Sequence, residues 1–192
     1  MTPNPNTLKF ALEDRFLVAD PEISVVFDRT SLSDCAQIPL IIEKIFSFPY
    51  IEQIFIHQNY LALSKNTAVE WFEVQNELKF FLKEYLENHQ FIFTEHPNFS
   101  SQKNYFPTSE YDGIIREIIE SQVQPAVAQD GGKIRFAGYE NGVVYVFMEG
   151  ACKGCPSAPL TLKGGIERLL QQILPDIVNK VSAFKIPLTE KI

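Results

Sequence analysis

The stretch Gly150-Ala151-Cys152-Lys153-Gly154-Cys155-Pro156 constrains this chain more than any other. It follows a strand pattern, precedes a helix pattern and holds two of the three cysteines. Two thiols at this spacing can form a disulfide, bind a metal or hold part of an iron–sulfur cluster. Gly150 and Gly154 let the backbone turn tightly and come close to a bulky ligand. Cys155 lies just ahead of a helix start at Pro156-Ser157, where open N–H groups and the helix dipole favour a thiolate over a thiol. Lys153 adds a nearby positive charge, and Pro156 stiffens the exit from the turn.

The elements around this turn read clearly. Lys133 to Tyr139 alternates polar and apolar residues, Asn141-Gly142 is a strong hairpin signal, and Val143 to Met148 is the return strand that delivers the chain to Gly150. Upstream, Ser109 is a candidate N-cap, with Glu110 and Asp112 in the first turn and an apolar stripe of Ile114, Ile115, Ile118, Ile119 and Val123. Pro125 is expected to weaken or end that helix near Gln124. Downstream, Leu160, Leu162, Ile166, Leu169, Leu170 and Ile173 mark a helix, and Ile177 to Phe184 a last strand. The order is α-β-β-α-β.

Residues 1–94 read as a separate α+β unit. Leu8 to Leu12, Phe16 to Ala19 and Ile23 to Phe27 are apolar runs of strand length and suggest a β-meander. Pro39 opens a short helix through Phe46. Ile51 to His57 and Tyr60 to Lys65 flank Gln58-Asn59 as a hairpin. Trp71, Phe72, Leu78, Phe81, Leu82, Tyr85 and Leu86 recur at helical spacing over Val69 to Leu86. Residues 95–109, with Pro97, Pro107 and several Ser and Asn, lose all periodicity and read as a linker. The fold class expected is thus α+β: two small domains, 1–94 and 110–192, the second carrying the Cys-x-x-Cys at a strand-to-helix turn.

Composition removes several function classes. A net charge of −7, with the acidic excess on residues 1–105, argues against a nucleic-acid binder. No apolar run approaches the ~20 residues that span a bilayer, so no membrane role is expected. Three cysteines cannot make a disulfide framework, and the start of the chain has neither a secretory nor a transit pattern. The compartment expected on those grounds is the cytoplasm.

Two thiolates are half of the usual ligand set of a zinc site or a four-iron cluster. The second domain has no further cysteine and no histidine, since the three histidines are His57, His89 and His96 and the third cysteine is Cys35. A second copy of the same turn completes the set most simply, and such a shared site would be exposed and easily dismantled. Spacing alone leaves a thioredoxin-type dithiol and bland structural cysteines open. Against the dithiol, the preceding strand belongs to an Asn-Gly hairpin and not to a βαβ crossover.

The flanking residues carry more. Asp130-Gly131-Gly132-Lys133-Ile134, Gly138 to Val144, Gly150 to Ser157 and Thr161-Leu162-Lys163-Gly164-Gly165-Ile166-Glu167 closely resemble the NifU-like C-terminal domain of the Nfu family. Thr2 to Phe10 resembles the opening of the Nfu N-terminal domain, and Trp71 fits it. Lys133 stands where an acidic residue is common in the family, Pro159 where small hydroxylated residues are common, and Ile23 to Gln37 departs from the pattern. The resemblance implies a non-enzymatic iron–sulfur scaffold or carrier. Cys152 and Cys155 would ligate a 4Fe–4S cluster shared between two subunits of a homodimer. Upstream assembly proteins would supply it, and apo iron–sulfur proteins would receive it. The alternatives are a thiol–disulfide oxidoreductase using Cys152 and Cys155, and a zinc-bridged interaction protein.

Other residues have blander readings. Cys35 reads as a half-buried small apolar residue, Asp130-Gly131-Gly132 as turn chemistry, and His57 and His89 as surface or strand-end residues. Lys153 and Lys163 either steer an anionic cluster or are solvated. Trp71 and Phe72 read as core.

Overall fold

These patterns fold into two units, Met1–Ser101 and Gln102–Ile192, each with its own sheet and core. The computed structural model describes residues 2, 4–13, 15–19, 23–30, 38–89, 92, 105–152 and 158–184.

The first unit runs β1 (Thr7–Ala11), β2 (Ser24–Asp28), α1 (Leu40–Phe46), β3 (Ile51–His57), β4 (Tyr60–Lys65) and α2 (Trp71–Glu87). Gln58, at φ +47°, turns the β3–β4 hairpin as expected. The β-meander is not formed. The sheet order is β1-β4-β3-β2, so β1 and β2 lie on opposite edges and pair with β4 and β3 respectively. The β3–β4 hairpin closes over a two-residue loop and takes the centre, which leaves only edge positions for the earlier strands. Phe16 to Ala19 makes no strand beyond an isolated bridge at Val18. Its apolarity serves burial instead. Leu17 and Val18 are buried, with Leu17 N–H donating to Gln58 O at 2.6 Å and Ile92 N–H donating to Leu17 O at 2.8 Å.

Helix α1 starts after Pro39 and buries Ile41, Ile42, Ile45 and Phe46. A capping box between Glu70 and Glu73 starts α2, which buries Leu78, Leu82 and Leu86. These three lie one turn apart on one line. Phe72 falls on the other side of the helix and is exposed, contrary to the core role expected of it. Both helices share a core with Val25, Phe27, Ile54, Ile56, Leu61 and Leu63. Each such side chain contributes about 1.5–3 kcal/mol by leaving water.

The second unit runs α3 (Asp112–Ile118), a π-helical turn at Ile119–Val123, α4 (Gln124–Gln129), β5 (Gly132–Glu140), β6 (Val143–Gly150), α5 (Ala158–Ile173) and β7 (Lys180–Ala183). Of the two outcomes expected at Pro125, the helix is weakened near Gln124 and does not end there. Pro125 has no N–H, and its ring would strike the carbonyl one turn back. The wide turn at 119–123 sits just where that carbonyl would be, and the helix resumes with Pro125 in its first turn. Asn141 at φ +49° and Gly142 at φ +80° close the β5–β6 hairpin.

The sheet order is β5-β6-β7, with β7 parallel to β6. Strand β6 therefore belongs both to the hairpin and to a β6–α5–β7 crossover, which corrects the expectation that no such crossover follows it. A parallel neighbour needs a connection of this length, and α5 supplies it. The core joins Ile115, Ile119, Val127, Ile134, Val144, Val146, Ile166, Leu170 and Val181. Two amides on the outer strands are held by helix side chains: Ile134 N–H donates to Gln124 Oε1 at 2.9 Å on β5, and Val181 N–H donates to Glu167 Oε2 at 2.8 Å on β7.

Tyr105 and Phe106 fall in the stretch read as linker, yet they pack on this sheet. The Phe106 ring stacks on Tyr145 at 4.3 Å and meets Phe184 at 5.0 Å, while Tyr105 meets Phe184 at 5.1 Å.

Candidate functional site

Strand β6 carries the chain to Gly150, whose φ of +63° turns it out of the sheet. Ala151 and Cys152 form the turn that follows. Opposite them, α4 ends at Asp130, and Gly131 at φ +78° swings the chain into β5. Gly132 is in register with Gly150, and Ala151 N–H donates to Gly131 O at 3.2 Å. Two glycine turns, at Gly131 and Gly150 with the eighteen residues of the hairpin between them, are thus fastened to each other beside Cys152. Left-handed backbone at Gly131 and Gly150 explains why those two positions are glycine.

Cys152 is 8% exposed and belongs to the second unit's hydrophobic core. Its sulfur lies over Gly132, so close that a Cβ on that glycine would overlap it. The same Cβ would stand 3.2 Å from Val127 Cγ1 and 3.3 Å from Glu149 O. The sequence led us to expect an exposed pair of thiols, but the Cys152 sulfur is recessed. The cause is the depth of the Gly150 turn, which tips Ala151 and Cys152 back over the start of β5. Cys155, Lys153, Gly154, Pro156 and Ser157 lie outside the described residues, as do Cys35 and His96.

The charged residues of this end of the sheet are ordered. Arg135 donates from Nη2 to Glu149 Oε1 at 2.6 Å and from Nε at 3.0 Å, with its guanidinium over the Phe147 ring. Lys133, in register with Glu149, is buried. Lys163 is half-buried on α5.

His57 is the last residue of β3, which fits the strand-end reading of it and not the surface one. It is buried, with Nδ1 3.0 Å from Ile23 O and its ring against Phe55 and Tyr60. The signal was present in its place at the end of an apolar strand. His89 is exposed and stacks on Tyr85 at 4.0 Å. Trp71 is half-buried against the first core, with Lys65 over its ring.

Among the described residues, no three of His, Cys, Asp and Glu gather as a metal-holding group. Cys152 offers iron a soft sulfur donor, and its unit has one other cysteine, Cys155. No helix of the described residues is long and apolar enough to cross a membrane. The role sequence reasoning missed is that of Gly132. Its φ is not left-handed, so the turn alone does not ask for glycine there; the Cys152 sulfur does.

Comparison with known proteins adds the following. Residues 115–181 match the model of the NifU-like domain, and residues 1–89 match the model described as the scaffold protein Nfu/NifU N terminal. The chain is 31% identical over 188 residues to a NifU-like protein of Schizosaccharomyces pombe, covering 94% of this chain and 69% of that one. It is 28% identical over 188 residues to the Drosophila willistoni protein named NFU1 iron-sulfur cluster scaffold homolog, mitochondrial, covering 95% of this chain and 62% of that one. A solved NifU-like protein from Saccharomyces cerevisiae gives a TM-score of 0.43 at 24% identity, over 50% of this chain and 81% of that one. The expectation of a cytoplasmic protein is overturned by the relatives from Drosophila willistoni and Drosophila persimilis, both mitochondrial by name. Cysteine number, bulk composition and the pattern of the opening residues, on which that expectation rested, do not fix a compartment.

Proposed function

The chain belongs to the Nfu family of iron–sulfur cluster scaffold proteins, and we propose that it holds a labile 4Fe–4S cluster as cargo between two copies of itself. Cys152 and Cys155 of each copy would supply the four sulfur ligands. The observation that carries this reading is the half-set of ligands. A cysteine sits at the end of β6 in a unit with one other cysteine and no histidine, and no metal-holding group forms among the described residues. A cluster needing four thiolates is then completed by symmetry. The cargo leaves by ligand exchange: a thiolate of an apo-protein takes an iron as a scaffold sulfur lets go, one ligand at a time. Each exchange breaks one bond from a scaffold sulfur to iron and forms one from an acceptor sulfur, and the cargo passes on unchanged, so the role proposed is that of a carrier and not of an enzyme. Apo iron–sulfur proteins are the acceptors and cluster-assembly proteins the donors.

Anaerobic reconstitution with iron, sulfide and reductant tests this. The expected result is four irons and four sulfides per two chains, a brown dimer by size exclusion, and loss of both in Cys152→Ser and in Cys155→Ser. Iron retained by the double serine variant, or a colourless monomer throughout, would refute it.

A second reading is favoured by the β6–α5–β7 crossover, because a dithiol between a parallel strand and its following helix is also the layout of thiol–disulfide oxidoreductases. Insulin reduction by the apo chain separates the two: turnover dependent on Cys152 and Cys155 supports the oxidoreductase.

A further inference from the structure

Gly132 has a backbone that any residue could adopt, yet no side chain fits there while Cys152 stays where it is. The space a methyl group would take is filled by the Cys152 sulfur, with Val127 and the Glu149 carbonyl as its other walls. The floor of this notch is stiff. Gly132 is paired with Gly150 in the sheet, and Ala151 is tied to Gly131 by a backbone hydrogen bond. Cys152 itself belongs to the second unit's core and is 8% exposed. A ligand shared with a second copy cannot bind iron from inside its own core, so this thiol has two positions, one seated and one on the cargo.

We propose that Gly132 is a positioning residue that keeps a seat for the Cys152 sulfur in the empty chain, and that return to this seat favours release of the cargo. The proposal rests on the reading of Cys152 as a cluster ligand and assigns it a place in the order of events. Seating competes with iron for the same sulfur. Cys152 is therefore the ligand that joins against a restraint and lets go with a gain, because its apolar surroundings close over it. In the empty state the seat also withholds the Cys152 thiol from oxidants and alkylating agents.

The test uses the full chain stripped of metal with EDTA under reductant, then treated with excess iodoacetamide. Each alkylation forms one sulfur–carbon bond and expels iodide, with the thiol proton passing to buffer. Peptide mass spectrometry reads Cys35, Cys152 and Cys155 separately. Cys152 of the native chain is expected to react at least roughly tenfold slower than in the same chain unfolded in urea, a factor equal to about 1.4 kcal/mol of seating. Gly132→Ala is expected to erase that protection while the chain remains folded by circular dichroism. Val181→Ala opens a cavity in the same core away from the notch, and is expected to lower stability and leave the Cys152 rate within about twofold. In loaded protein, Gly132→Ala is expected to slow cluster loss to a ferrous chelator.

Equal Cys152 rates in native and unfolded wild-type chain overturn the proposal even if Gly132→Ala does not fold. So does an unchanged rate in a folded Gly132→Ala, or an equal rise in Val181→Ala. Iron and sulfide content is measured in parallel. Absent loading with Cys152 protected overturns the cargo reading, whereas normal loading with Cys152 unprotected overturns the seat.

Discussion

Replacing Phe106 by alanine tests whether the segment ahead of α3 is part of the second unit's fold. The ring stacks on Tyr145 at 4.3 Å and 19°, meets Phe184 edge-on at 5.0 Å and 69°, and covers Gly138, where any Cβ would overlap it. A fully buried Phe→Ala change costs about 3–5 kcal/mol, and Phe106 is half-buried, which brings the burial part to about 2 kcal/mol. Its two ring pairs add about 0.5 kcal/mol or more each. The total expected is about 3 kcal/mol, or roughly a 150-fold change in the opening equilibrium. Native-state hydrogen exchange of the full chain reads this directly at the amides of β6 and β7, including Phe184 N–H, which donates to Val146 O at 2.8 Å. Loss of less than about threefold in protection there would refute the reasoning, because the rings would then be lying on the sheet without holding it.

Two further outcomes follow from single positions. Gly142→Ala places a side chain at φ +80° and against the Asn179 side chain, and should lower the urea midpoint by an amount worth about 1–2 kcal/mol; an unchanged midpoint would show that the hairpin tolerates another turn. Burial, then the charge and hydrogen bond of Glu77, push the Tyr50 phenol up to about 12. The folded chain keeps that proton after the unfolded chain has lost its own near pH 10, so stability should fall as pH rises from about 10 to 12. Tyr50→Phe should flatten that slope in alkaline urea titrations, and a slope of equal steepness would remove Tyr50 as its source.

Local chemistry made much of this fold legible. The turns at Gln58-Asn59 and Asn141-Gly142, the helix from Trp71 and the strand into Gly150 are each written in fewer than twenty neighbouring residues. What escaped is non-local. Whether Leu8 to Ala11 pairs with its sequence neighbour or with β4 depends on which hairpin closes first. The apolar pair Leu17-Val18 fits a strand or a core plug equally well. Pro125 reads as a stop unless the turn before it widens, which no residue in that turn announces. Tyr105 and Phe106 were hidden by the Pro, Ser and Asn around them. At the site, the cysteine spacing marked the candidate ligands, whereas the close approach of the Cys152 sulfur to Gly132, twenty residues away, is visible only once β5 and β6 are paired.

The two side-chain caps on the outer strands matter for how such a carrier behaves in company. Gln124 and Glu167 each occupy an amide that would otherwise offer itself to a strand from another molecule. On the proposed function, two copies must approach closely whenever a cluster is held and separate whenever it is given up. Open sheet edges at that range would invite the copies to zip together along their backbones. With those two amides already taken, that route to backbone pairing is narrowed, and on the proposed function the cargo is what joins the copies.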